Sequence, residues 1–134
     1  MTHTSIFARS LLPLVAVMLV AGALVACSPA GSGVRTASAA DAVAAMDSRT
    51  IIDVRTPAEV AQGMIAGAIN IDIGSADFRP RIEALDRDEA YLLYCRTGNR
   101  SAQAAALMRD LGFTDVIDAG GFDALVAAGA LTAP

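Results

Sequence analysis

The chain has 134 residues, a formal net charge of −4 and a hydrophobic fraction of 54%, a length that allows one domain with a real core and no more. The acidic balance argues against nucleic acid as a partner, and every one of the ten basic residues is arginine. His3 is the sole histidine, so a mature chain without its N-terminus would hold no Cys–His couple, no Ser-His-Asp triad and no His-built metal site.

In chain order, residues 1–26 read as an export signal. Arg9 supplies the positive charge, and the apolar run Leu11 to Val25, interrupted by Pro13 and Gly22, is short for a bilayer span. The run ends in Leu24-Val25-Ala26-Cys27, which resembles the bacterial lipoprotein box. The resemblance implies cleavage before Cys27, acylation of that cysteine, and a lipid bilayer as partner, with the domain on the extracytoplasmic side of the cell membrane. An ordinary signal peptide and an uncleaved anchor are the alternatives. Several acyl chains on one residue hold firmly, each buried CH₂ contributing about 0.8 kcal/mol. Residues 27–33, rich in Ser, Gly, Ala and Pro, are expected to form a flexible membrane tether, and residues 34–134 the folded domain.

Val34 to Thr36 is a candidate first strand. Ser38 is placed to cap a helix running to Met46, with Ala39, Val43 and Met46 at apolar spacing. The β-branched run Thr50 to Val54 predicts a central strand. Thr56-Pro57-Ala58-Glu59 is a capping box with proline at the first helical position, opening a short helix that ends at Gly63. Asp53 and Arg55 therefore leave a strand at its carboxyl end, where open α/β sheets bind ligands. Asp53 and Glu59 read first as structural, an ion pair or turn contact and a cap. For Arg55, a fold-supporting ion pair and a substrate-facing charge stand level.

Ala68 to Ile73 predicts a further strand. Ser75 and Asp77 open a helical segment reaching Leu85, with Pro80 disturbing its first turn, and Asp86 to Glu89 form a charged turn. Ala90 to Tyr94 is the strand that feeds Cys95. Arg100 to Leu111 is helical, with Ala104, Leu107, Met108 and Leu111 on one face and Gly112 as its stop. Thr114 to Ile117 predicts a strand, Gly120-Gly121 a turn, and Phe122 to Ala128 a last helix. Strands alternating with helices imply an α/β fold, a parallel central sheet with helices on both faces.

The chemistry concentrates in Cys95-Arg96-Thr97-Gly98-Asn99-Arg100-Ser101. A thiol at the end of a strand, a Gly/Arg loop and a helix behind it form a cradle of inward N–H groups at the positive end of a helix dipole. With Arg96 and Arg100 as fixed charges, Cys95 should be more acidic than a free cysteine. A buried structural cysteine is the plain alternative.

This stretch resembles the active-site loop of the rhodanese family of sulfurtransferases. Asp53-Val-Arg-Thr-Pro-Ala-Glu59 with Gly63-Met-Ile-Ala-Gly-Ala-Ile-Asn70, and Gly120-Gly121-Phe122, resemble two further blocks of that family. Met64 stands where the family usually has His, and the C-terminal segment lacks the usual Trp. The resemblance implies Cys95 as catalytic nucleophile, Arg96, Thr97, Gly98, Asn99, Arg100 and Ser101 as the substrate cradle, and Asp53, Arg55 and Glu59 as support. It also implies small sulfur-containing anions or thiols as partners, and neither cofactor nor metal. Cys95 would take sulfane sulfur from a donor such as thiosulfate and pass it on from a persulfide. A phosphatase or arsenate reductase on the same scaffold and a catalytically idle binding module are the rival readings. Four residues lie between Cys95 and Arg100, one fewer than in the tyrosine-phosphatase signature. The tighter ring suits one sulfur atom better than a tetrahedral phosphate ester.

Overall fold

The computed structural model describes residues 33–134. The expected export signal, Cys27 and the expected tether up to residue 32 lie outside the described residues. Among the described residues no helix is long and apolar enough to cross a membrane.

Five strands form a parallel sheet: β1 (Gly33–Thr36), β2 (Thr50–Asp53), β4 (Ile69–Asn70), β5 (Ala90–Cys95) and β6 (Asp115–Gly121), in spatial order β1-β6-β5-β2-β4. The predicted parallel sheet is present, but its middle position belongs to β5. Thr50–Asp53, expected to be central, lies between β5 and β4. Strand alternation feeds two apolar layers. Ile52, Tyr91, Leu93, Cys95 and Val116 face one side, packed under α3 (Phe78–Glu83) and α4 (Asn99–Asp110). Ile51, Leu92, Tyr94, Ile117 and Ala119 face the other, packed under α1 (Ala39–Ala45) and α5 (Phe122–Ala127). Both faces are covered, which is why β5 is apolar at every position.

The predicted caps are formed. The Ser38 hydroxyl accepts from Asp41 N–H at the start of α1, which passes at Met46 into a 3₁₀ turn. Thr56 and Glu59 complete the reciprocal capping box of α2 (Pro57–Val60). Gly112, at φ +87°, ends α4. Its N–H and that of Phe113 bond back to the carbonyls of Arg109 and Met108, closing a Schellman motif.

Three expectations are corrected. The strand predicted over Ala68–Ile73 pairs only at Ile69–Asn70, because its continuation bonds to the loop after β2, Ile73 N–H donating to Val54 C=O. The helix expected from Ser75 starts at Phe78, the preceding residues turning about their own side chains. The strand expected to stop at Ile117 runs to Gly121, so Gly120-Gly121 is the end of β6 and no free turn. A register shift between Leu93 and Cys95 brings Cys95 level with Gly121. A second, antiparallel pair was not foreseen: β3 (Met64–Ile65) joins β7 (Thr132–Ala133). Two-residue strands carry no readable period. Met64 therefore sits in a strand pair, level with Ala133.

Candidate active site

The apolar strand β5 delivers Cys95 at the carboxyl edge of the sheet, and α4 starts four residues later. Between them the chain must reverse, and Gly98 makes this possible with φ +96°. Gly98 N–H points back at the Cys95 sulfur, 3.0 Å away. Cys95 is itself buried, 0% exposed, at the floor of the loop. Burial pushes its thiol pKa up, but the N–H groups of Ser101, Thr97 and Gly98 and the Ser101 hydroxyl outweigh it and hold the pKa below the ordinary value. The acidity expected from the loop is therefore present, and backbone N–H groups are its main source.

The other residues expected to form the cradle have distinct places. Arg96 and Thr97 are exposed at the rim. The Asn99 side chain lies along the helix and accepts from Gln103 Nε2 at 2.6 Å. Ser101 is fully buried, its hydroxyl 3.0 Å from Gly98 C=O. Arg100 binds Glu59 through both terminal nitrogens, each at 2.7 Å. Glu59 is thus more than a cap. Arg100, with help from Thr56, holds its carboxyl at about 2 against the effect of burial. The folded pKa lies below the ordinary value of about 4.3, so this pair contributes fully above that pH and is lost as pH falls toward about 2.

Asp53 and Arg55 lie on the other side of the sheet from the cysteine. Arg55 is 4% exposed and Asp53 0%. The Asp53 carboxylate accepts from Arg55 Nε, terminal nitrogen and backbone N–H, and from the Tyr94 hydroxyl at 2.6 Å. Arg55 lies over the Phe122 ring, 4.3 Å from its centroid, with Tyr94 at 5.5 Å. Its second terminal N–H goes to Gly63 C=O. Arg55 is thus a buried cation whose charge is met by Asp53. Tyr94, which sequence reasoning passed over, joins this network from the position next to Cys95. Strand alternation was the available signal, since it sets Tyr94 and Cys95 on opposite faces.

Gly120 and Gly121 are the other residues whose part was not read. A Cβ on Gly121 would stand 2.8 Å from Arg96 C=O, and one on Gly98 3.3 Å from Gly120 Cα. The end of β6 and the cysteine loop therefore pack backbone to backbone, which only glycine permits. Among the described residues no group of three or more His, Cys, Asp or Glu side chains is placed to hold a metal ion.

Comparison with known proteins agrees with this architecture. Residues 38–128 match the family model for the rhodanese-like domain. The thiosulfate sulfurtransferase PspE of Escherichia coli is 36% identical over 70 residues, 52% of this chain and 67% of that protein. A sulfurtransferase of Allochromatium vinosum is 37% identical over 68 residues, covering 51% of this chain and 62% of that one. The crystal structure of a rhodanese-related protein from Thermoplasma volcanium superposes with a TM-score of 0.65 at 34% identity, covering 74% of this chain and 97% of that one.

Proposed function

Because the chain belongs to the rhodanese-like domain family, we propose that it is a sulfurtransferase that carries sulfane sulfur on Cys95. The observation that supports this most is a thiol made acidic by a ring of backbone N–H groups with Gly98 N–H 3.0 Å from its sulfur. In the first half-reaction the Cys95 thiolate attacks the outer sulfur of a donor such as thiosulfate. A new S–S bond forms, the old one breaks, and sulfite leaves with the bonding pair. The persulfide left on Cys95 carries the negative charge on its terminal sulfur, where the loop N–H groups stabilise it. In the second half-reaction a thiophilic acceptor, cyanide or a thiol, attacks that sulfur and Cys95 departs as thiolate. A buried thiol at the base of a narrow ring favours a donor whose sulfur protrudes as a single atom, and disfavours a phosphate ester.

The test is the intact mass of the purified protein after thiosulfate treatment, with thiosulfate:cyanide transfer and aryl phosphate hydrolysis assayed in parallel. One added sulfur atom, lost again to cyanide, with negligible phosphate hydrolysis is the expected result. Phosphate hydrolysis faster than sulfur transfer would refute the reading, and neither reaction would favour an idle binding module.

Attachment to a membrane through acylated Cys27 is the second part of the proposal, supported by the Leu-Val-Ala-Cys box. Sheet polarity gives it a consequence. Gly33 is level with Asp115, and Asp115 with Ala90, whereas Cys95 is level with Gly121. Chain entry and the cysteine thus lie at opposite ends of the sheet, roughly 20 Å apart at about 3.3 Å per residue. An anchored domain would present Cys95 away from the bilayer. Cell fractionation of the wild type and Cys27→Ser checks the anchor: wild type is expected in the membrane fraction with an acyl mass, and the variant without that mass. A wild type that is soluble and unacylated would remove this part of the proposal.

A further inference from the structure

At the carboxyl end of the sheet two backbone segments meet with no side chain between them. The register shift in β5–β6 sets Cys95 level with Gly121. A Cβ on Gly121 would stand 2.8 Å from the Arg96 carbonyl oxygen, 3.3 Å from Thr97 Cα and 3.5 Å from the Arg96 carbonyl carbon. All three atoms are backbone, so no flexible side-chain end can yield. Backbone strain does not call for glycine here. Gly121 has φ −101° and ψ 144°, extended geometry open to any residue. What the position requires is the absence of a Cβ. The end of β6 is also fixed from behind. Gly120 N–H donates to the Asp118 carboxylate at 3.2 Å, and the Phe122 ring lies 4.3 Å from the Arg55 guanidinium. On the loop side the buried Ser101 hydroxyl lies 3.0 Å from Gly98 C=O and 3.4 Å from Gly120 C=O, between the two segments.

We infer that Gly121 is a positioning residue for the nucleophile: its bare backbone face seats the segment from Arg96 to Gly98, and that seat sets the 3.0 Å reach of Gly98 N–H to the Cys95 sulfur. The Arg96 carbonyl and Thr97 Cα belong to one rigid planar peptide, and Thr97 Cα also opens the peptide that carries Gly98 N–H. A group that pushes the first outward therefore carries the second with it. Hydrogen bonds weaken steeply with distance and misalignment, so the displaced donor stabilises the thiolate less. The charged groups around the loop are Arg96 at the rim, the Arg100–Glu59 pair beside it, Asp118 on β6, and Asp53 with Arg55 across the sheet. Replacing Gly121 by alanine alters none of these charges. The inference depends on the sulfurtransferase reading only for its kinetic readout.

The readout is alkylation of Cys95 by iodoacetamide against pH in the full-length protein, followed by mass spectrometry of the Cys95 peptide so that Cys27 does not interfere. For Gly121→Ala the expected result is a titration displaced to higher pH. The kcat for sulfur transfer should fall about tenfold with a smaller change in KM, less than the roughly 10²-fold of losing an anion-stabilising donor outright. One methyl of overpacking also lowers the melting temperature. Gly129→Ala controls for lost stability alone. Gly129, past the far end of α5, has φ +104° with nothing within 4 Å of an added Cβ, so alanine there strains the backbone and strikes nothing. It should lower the melting temperature with the titration and kcat unmoved. Asp118→Ala reaches the seat from behind. Freeing Gly120 N–H loosens the end of β6 and moves the titration up, whereas loss of a negative charge alone would move it down. Asp118→Asn keeps an acceptor oxygen and should show no upward shift. An unmoved or downward titration in Gly121→Ala would overturn the inference, as would an upward shift that Gly129→Ala reproduces. Should Gly121→Ala not fold, Asp118→Ala decides, and a downward or absent shift there overturns it. Absence of sulfur transfer in the wild type would refute the sulfurtransferase reading alone, leaving the titrations to decide on Gly121.

Discussion

Cys95→Ser is expected to abolish sulfur transfer, with a loss of about 10⁴-fold or more, the scale of removing a covalent nucleophile. A serine hydroxyl in the same place stays protonated and has little affinity for sulfur, so no persulfide analogue forms. The fold should survive. The substitution is small, and the hydroxyl oxygen can still accept from Gly98 N–H, so a stability change within about 1 kcal/mol is expected. Thiosulfate:cyanide transfer and thermal unfolding of both proteins check the two halves. In the wild type, the lowered thiol pKa means that thiolate persists to lower pH than in a free cysteine. Alkylation of Cys95 should therefore half-titrate below about 8.5. Undiminished transfer by the serine variant would show that sulfur does not travel through Cys95.

Asp53→Ala should be the most destabilising of the single substitutions considered, by about 3–5 kcal/mol. The reason is what it leaves behind. Arg55, 4% exposed, would lose the one carboxylate it meets among the described residues, and the Tyr94 hydroxyl would lose its 2.6 Å acceptor. Such a loss is a large part of the 5–15 kcal/mol by which a domain is usually stable. Denaturant unfolding measures it directly. The double variant Asp53→Ala/Arg55→Leu should be more stable than Asp53→Ala alone, because the uncompensated cation is gone while the rings of Phe122 and Tyr94 keep an apolar neighbour. If the double variant were the less stable, the cost would lie in lost packing and not in a stranded charge. The ion pair at the opposite end of the sheet, Arg49 with Asp115, offers a contrast. Its aspartate side chain is 26% exposed, so water can compensate part of the loss and Asp115→Ala should cost less.

The fold class was legible because its signals are local. Apolar runs of four to six residues, the Ser38 cap, the Thr56–Glu59 box and the Gly112 stop each act within a few positions of the residue that encodes them. The cysteine loop was legible for the same reason: the acid-making N–H groups belong to the residues directly after Cys95. Short segments were not legible. Met64–Ile65 and Thr132–Ala133 form strands only because each finds the other, and Ile69–Asn70 is cut short by bonds from its continuation to the loop after β2.

Sequence alone therefore determined the order of the longer elements, the parallel sheet and the strand–loop–helix setting of Cys95, since propensity, capping and backbone reversal are short-range effects. Only the tertiary structure decided which charges meet beside the cysteine loop and which meet on the far face of the sheet. Asp53 and Arg55 differ from Arg100 in no local property that could sort them. Alternation along β5 and its register with β2 bury the first pair with Tyr94 on the far face of the sheet. The packing of α2 beside the cysteine loop brings Glu59 to Arg100 across 41 positions of sequence. Likewise Gly120-Gly121 reads as a turn until the register shift in β5–β6 lays it against the loop, where a side chain would strike the Arg96 carbonyl. These are contacts between distant segments, fixed by the packing of whole elements and by the exclusion of water between them.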